Sequence, residues 1–91
     1  MNIASVGILE NTFESNLNVY PNPTSGKIFI EFSEGQNASV SLMNVSGEVI
    51  QRKTFSETSI ITYEVDQPVG VYFLEITNAD NEKAVIRVIK H

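Results

Sequence analysis

Cysteine and tryptophan are absent, histidine occurs once, and proline and glycine supply only three and five of the 91 residues. Each shortage closes off a class of chemistry. Without cysteine there is no disulfide, no thiolate nucleophile and no thiolate metal ligand. His91 is the last residue, where fraying denies an imidazole the fixed geometry of general acid–base work. A Ser-His-Asp triad needs that ring in a packed site, so an enzyme reading finds no support. The glycines Gly7, Gly26, Gly35, Gly47 and Gly70 are scattered, so no glycine-rich phosphate loop forms. Basic residues are also scarce: six against eleven acidic ones leave a net charge of −5. A polyanionic backbone is held by clustered Lys and Arg, so nucleic acid is excluded as a partner. No apolar run approaches the ~18 residues that a membrane-spanning helix needs. Area scaling has a chain of this size bury roughly 64% of its surface, enough for one modest core without a deep cleft.

What is abundant is β-branched. Val and Ile supply 20 residues and Thr another 6, whereas Leu and Ala together supply 8. Such side chains lose rotamer freedom in a helix and fit a pleated sheet, so the composition predicts an all-β domain with essentially no helix. Turn signals fall at 21–26, 33–37, 44–47, 55–59, 66–70 and 78–82, roughly eleven residues apart, as in an antiparallel sandwich. They separate seven candidate strands: 17–20, 27–32, 38–43, 48–54, 60–65, 71–77 and 83–89.

Within these strands Ile28, Ile30 and Phe32 share a face, as do Ala38, Val40 and Leu42. The same holds for Ile61, Tyr63 and Val65, for Tyr72, Leu74 and Ile76, and for Ala84, Ile86 and Val88. The side-chain period of two lands each set on one sheet face, which predicts the core. Val85, Phe73 and Phe29 fall opposite and are candidates for an exposed apolar patch. Residues 1–16 lack this alternation and read as a linker, with 17–91 as the domain. Asp80-Asn81-Glu82 reads as a polar hairpin tip rather than a cation site. Tyr20, Tyr63 and Tyr72 read as core or corner residues.

The most particular segment runs from Leu17 to Gly26. Pro21 and Pro23 donate no backbone hydrogen bond and hold Tyr20 and Asn22 extended, so the chain leaves the first strand as a rigid corner. Asn22 is expected to cap its own backbone, and Gly26, Gly47 and Gly70 to take positive φ ahead of strands.

Four segments then carry a resemblance: Val19-Tyr20-Pro21-Asn22-Pro23-Thr24-Ser25-Gly26, the stretch Val40 to Val49 with its Ser46-Gly47 turn, Pro68-Val69-Gly70-Val71-Tyr72-Phe73-Leu74-Glu75-Ile76, and the closing strand Lys83 to Lys90. In this order and spacing they resemble the C-terminal sorting domain of cargo of the type IX (Por) secretion system, type A, from about Leu17 to His91. Val6 to Glu10 is similar to the short segment before that domain, while the final Lys90-His91 departs from an ending on Lys or Arg.

The resemblance implies an immunoglobulin-like antiparallel sandwich of about seven strands at the C-terminus of a larger protein. It implies a covalently fused cargo on the N-terminal side, secreted or held at the cell surface, that reaches the periplasm by its own signal. Translocon and shuttle proteins at the outer membrane read the domain, and a sortase-like protease removes it. No cofactor is implied. The absence of a signal peptide is then expected, with Met1 an expression start.

Recognition should rest on elements independent of the cargo: the Pro21-Asn22-Pro23 corner with Gly26, the Gly47 turn, the Gly70 to Tyr72 strand entry, and the basic strand with Lys83, Arg87 and Lys90. Lys83 and Arg87 share strand parity with Val85 and Ile89, a mixed basic and apolar face suited to an acidic receptor. Ala4, Ser5 and Gly7 are the expected region of cleavage. The alternative is an adhesive or carbohydrate-binding sandwich, which exposed aromatics on one sheet face would favour.

Overall fold

The computed structural model describes Phe13 and residues 16–91. Residues 16–91 contain five strands, all paired antiparallel: β1 (Leu17–Tyr20), β2 (Lys27–Met43), β3 (Val49–Glu64), β4 (Gly70–Asn78) and β5 (Lys83–Lys90). Among the described residues the seven expected strand segments run together into five strands. The segments around 33–37 and 55–59 do not end strands; they are irregular middles of β2 and β3.

The physical reason is visible in the ladder between β2 and β3. Its register shifts between Glu31 and Gln36 and again before Ala38, while Glu57 stands at a φ of 44°. The Glu57 amide donates to the Asn37 side-chain oxygen at 2.8 Å, so the bulge keeps its donor satisfied without breaking the hairpin. Bulges bend a strand and strengthen its twist. The first half of β2 therefore lies between β1 and the end of β3, and its second half between the start of β3 and β4. One long bent hairpin thus contributes to two layers, β1–β2–β3 and β3–β2–β4–β5.

Between the layers lies the core, and its members are the alternating sets of the sequence. Ile28, Ile30, Val40, Leu42, Ile61, Tyr63, Val65, Leu74, Ile76 and Val88 are each at most 2% exposed. Ile86 packs against them while partly buried. The start of β3, residues 49–54, is exposed, and Gln51 and Lys53, opposite the buried Leu42 and Val40, are polar, whereas Phe55 packs against the core. Gln51 accepts the Tyr63 hydroxyl at 2.7 Å, and the Lys53 ammonium sits 5.6 Å from the Tyr63 ring centre. This rim closes over Tyr63, the largest fully buried side chain among the described residues. Burial pushes the Tyr63 phenol above its usual pKa.

Two hairpins share one turn design. In Asn44-Val45-Ser46-Gly47-Glu48 the Asn44 side-chain oxygen accepts the amides of Ser46 and Glu48, both at 3.0 Å. In Asn78-Ala79-Asp80-Asn81-Glu82 the Asn78 oxygen accepts those of Asp80 and Glu82, also at 3.0 Å. Each asparagine donates in turn to the Glu carboxylate four residues on, at 3.0 and 2.8 Å. The fourth position needs a left-handed backbone, supplied by Gly47 at φ 84° and Asn81 at φ 64°. The Asp80-Asn81-Glu82 segment is thus a hairpin tip.

Candidate functional site

The corner after β1 does its work at the other end of the chain. Pro21 and Pro23 offer no amide, and both peptide bonds preceding them are cis. Between them, Asn22 extends its side chain to β5. Its Nδ2 donates to the Arg87 carbonyl at 2.7 Å, and its Oδ1 accepts the Ile89 amide at 3.0 Å. A side-chain amide here stands in for the peptide group of a neighbouring strand. Contrary to the expected local cap, Asn22 bonds residues 65 and 67 positions away.

Thr24 extends this clamp. Its amide donates to the Ile89 carbonyl and its carbonyl accepts the His91 amide, both at 2.9 Å, in a parallel bridge. Its buried hydroxyl donates to the Lys27 carbonyl at 2.7 Å and accepts the Gly26 amide at 3.0 Å. Sequence reasoning misses Thr24; a hydroxyl two residues ahead of a glycine and a strand is the signal that could have found it. Gly26, at φ 155°, faces the Glu64 carboxylate, which a Cβ would meet at 2.7 Å.

Against the same end lies the start of β4. Gly70 pairs with Lys90, and the Lys90 ammonium donates to the Gln67 carbonyl at 2.7 Å. The Tyr72 hydroxyl donates to the Pro68 carbonyl, four residues upstream, at 2.6 Å. That is the tyrosine corner of immunoglobulin-type sandwiches, in which a phenol ties a strand to the loop feeding it. Gly70 does not take the expected positive φ. It already lies in the extended backbone of β4, and a Cβ there would meet only ordinary contacts, at 3.8 to 3.9 Å.

The structure therefore unites Pro21, Asn22, Pro23, Gly26, Gly70, Tyr72, Arg87 and Lys90 at one end, although they come from three separate stretches of sequence. Lys83 is not with them. It pairs with Thr77 near the far end of β5, about 23 Å from Lys90 at the rise of a strand, with its ammonium 3.8 Å from Glu75. Phe13 stacks on Phe32 at 6.2 Å, also at the far end, so the chain enters opposite the clamp. Ala4, Ser5 and Gly7 lie outside the described residues.

A family model described as the secretion system C-terminal sorting domain matches residues 18–91. The chain belongs to that family. The resemblance to type IX sorting domains is thereby shown, and the sorting domain carries with it the expectation of export to the medium or the cell surface. No curated protein matches the chain. Among solved structures, a DUF3244 family protein with an immunoglobulin-like β-sandwich fold from Bacteroides vulgatus is similar at a TM-score of 0.70 and 16% identity. The likeness covers 84% of this chain and 85% of that one. At such identity it shows the fold alone, an immunoglobulin-like sandwich. Sorting family and fold together suggest a module without catalysis of its own.

Proposed function

We propose that residues 17–91 are the detachable address of a longer secreted protein. Cargo fused before residue 17 reaches the periplasm by its own signal, and translocon and shuttle proteins of the type IX system then read the domain at the outer membrane. A sortase-like protease cuts in or before residues 1–16, in the region of Ala4, Ser5 and Gly7. The observation that carries this reading is the sorting-family match over residues 18–91.

The geometry supports it. A translocon serving many cargos must read something the cargo does not alter. The clamp joining Asn22 and Thr24 to β5 stands at the end of β1 opposite Leu17 and the Phe13–Phe32 stack. Its two prolines and paired edge keep it preorganised, which lowers the entropic cost of being bound.

The test is a fluorescent reporter exported to the periplasm and fused ahead of residues 1–91. It should reach the medium, and a Lys83→Glu/Arg87→Glu/Lys90→Glu variant that melts like the parent should stay in the periplasm. A folded triple variant exported like the parent would remove the basic strand from the recognition surface. One observation favours a carbohydrate-directed reading: Tyr20, 41% exposed, and Phe29 hold their rings 5.6 Å apart on an outer face. Tyr20→Ala should weaken retention on immobilised polysaccharide if that reading is right.

A further inference from the structure

The outer face of the four-strand layer is arranged in cross-strand rows. Val49, Met43, Phe73 and Arg87 form one row, Val71 and Ile89 the next, and Arg52, Ser41, Glu75 and Val85 another. Val71 is 39% exposed and Val85 49%, so apolar side chains surround Arg87 on a surface that the fold leaves open. Among the described residues no carboxylate lies within ion-pair distance of the Arg87 guanidinium. Among the described residues the face carries three cations, Arg52, Lys83 and Arg87, against one carboxylate, Glu75, on a chain whose net charge is −5. Its sign is opposite to that of the molecule. At the edge of this face, Asn22 holds the Arg87 carbonyl and the Ile89 amide and so fixes this part of β5.

We propose that this face docks a protein segment presenting a carboxylate flanked by apolar side chains, with Arg87 as the anchor. A guanidinium offers a carboxylate two parallel hydrogen bonds, and desolvation by the surrounding Phe73, Val71, Ile89 and Val85 strengthens them. The local excess of two positive charges suits a single acidic segment; a broadly anionic surface such as a membrane is repelled by the chain as a whole. The inference rests on the sorting reading and names the chemistry of the partner in it. The competing role for Arg87 is a solubilising charge on an edge strand.

The test places a photo-crosslinking benzoylphenylalanine at Val71 of the full chain fused to the exported reporter, and in a separate fusion at Thr62 on the opposite layer. The Val71 position should give a discrete adduct that Thr62 does not, mapping to a peptide with Asp or Glu inside an apolar stretch. Arg87→Glu should reduce both adduct and export at least about tenfold, the scale of one lost desolvated ion pair. Arg87→Lys should recover part of each, and changing the mapped carboxylate to Arg should restore Arg87→Glu. If Arg87→Glu melts early, Arg87→Gln replaces it. Equal adducts at both positions, a mapped peptide without a carboxylate, or a folded Arg87 variant that crosslinks and exports normally overturns the proposal. So does sedimentation with phosphatidylglycerol vesicles that Arg87→Glu abolishes, which assigns the face to lipid. A parent fusion that never leaves the periplasm overturns the sorting reading itself, whereas an exported parent with an indifferent Arg87 overturns only the docking face.

Discussion

Asn22→Ala removes the side-chain amide that joins the proline corner to β5 and leaves the backbone bonds of Thr24 in place. Two hydrogen bonds are lost, at 2.7 and 3.0 Å. Each is worth a net ~0.5–1.5 kcal/mol, and because Asn22 is exposed, water recovers part, so about 1–2 kcal/mol is expected. At this size each kcal/mol moves Tm by roughly 4–8 °C. The sharper readout is local. The Ile89 amide, which has Asn22 as its acceptor, should exchange with deuterium about tenfold faster, while the amides of Leu74 and Ile76 in the core keep their protection. Asn22→Asp should be intermediate. It retains the acceptor for Ile89 but sets a carboxylate oxygen against the Arg87 carbonyl. An unchanged Tm together with unchanged exchange at Ile89 would refute the clamp.

Gly47 stands at φ 84° with open space around the position of an added Cβ, so Gly47→Val should cost roughly 1–3 kcal/mol through backbone strain alone, read by chemical denaturation. Gly70→Ala, in extended backbone with ordinary contacts, should fall within about 0.5 kcal/mol of the parent, and a large loss would contradict its placement. Tyr72→Phe removes the bond to the Pro68 carbonyl and should cost about 1–2 kcal/mol; a neutral result would show that the corner does not hold β4. Tyr63 ionises above the usual tyrosine pKa of 10.0 because burial disfavours the phenolate. Its contribution to stability is therefore complete below that value and lost as pH rises through the folded-state pKa. Titration followed by phenolate absorbance should show a component displaced to higher pH, and Tyr63→Phe should remove it.

The core is legible in the sequence because a period of two is a local property. Every set that alternates in β2, in the second half of β3, and in β4 and β5 faces inward, from Ile28 to Val88. What escapes a local reading is the distinction between a turn and a bulge. Ser33 to Asn37 and Phe55 to Ser59 have turn-forming composition, yet Asn37 satisfies the Glu57 amide across the hairpin and lets both strands continue. That bond links residues 20 apart, and propensity carries no information at that range. The site shows the same limit. The stiffness of Pro21-Asn22-Pro23 follows from proline, but its contact with Arg87 and Ile89 is tertiary, and so from sequence alone Asn22 reads as a local cap. The repeated design of Asn44 to Glu48 and Asn78 to Glu82 is present in the sequence: asparagine, a glycine or asparagine three residues on, and glutamate after it. Taken singly, each half is a turn; only the comparison of the two makes them one motif.

The most direct test of the central claim is the fraction of a periplasmic fluorescent reporter, fused ahead of residues 1–91, that appears outside cells with an intact type IX system and outside cells lacking only its outer-membrane translocon. Export in the first and retention of folded reporter in the periplasm of the second is the predicted result. Equal amounts outside both, or none outside either, would contradict the assignment of this domain as a sorting signal.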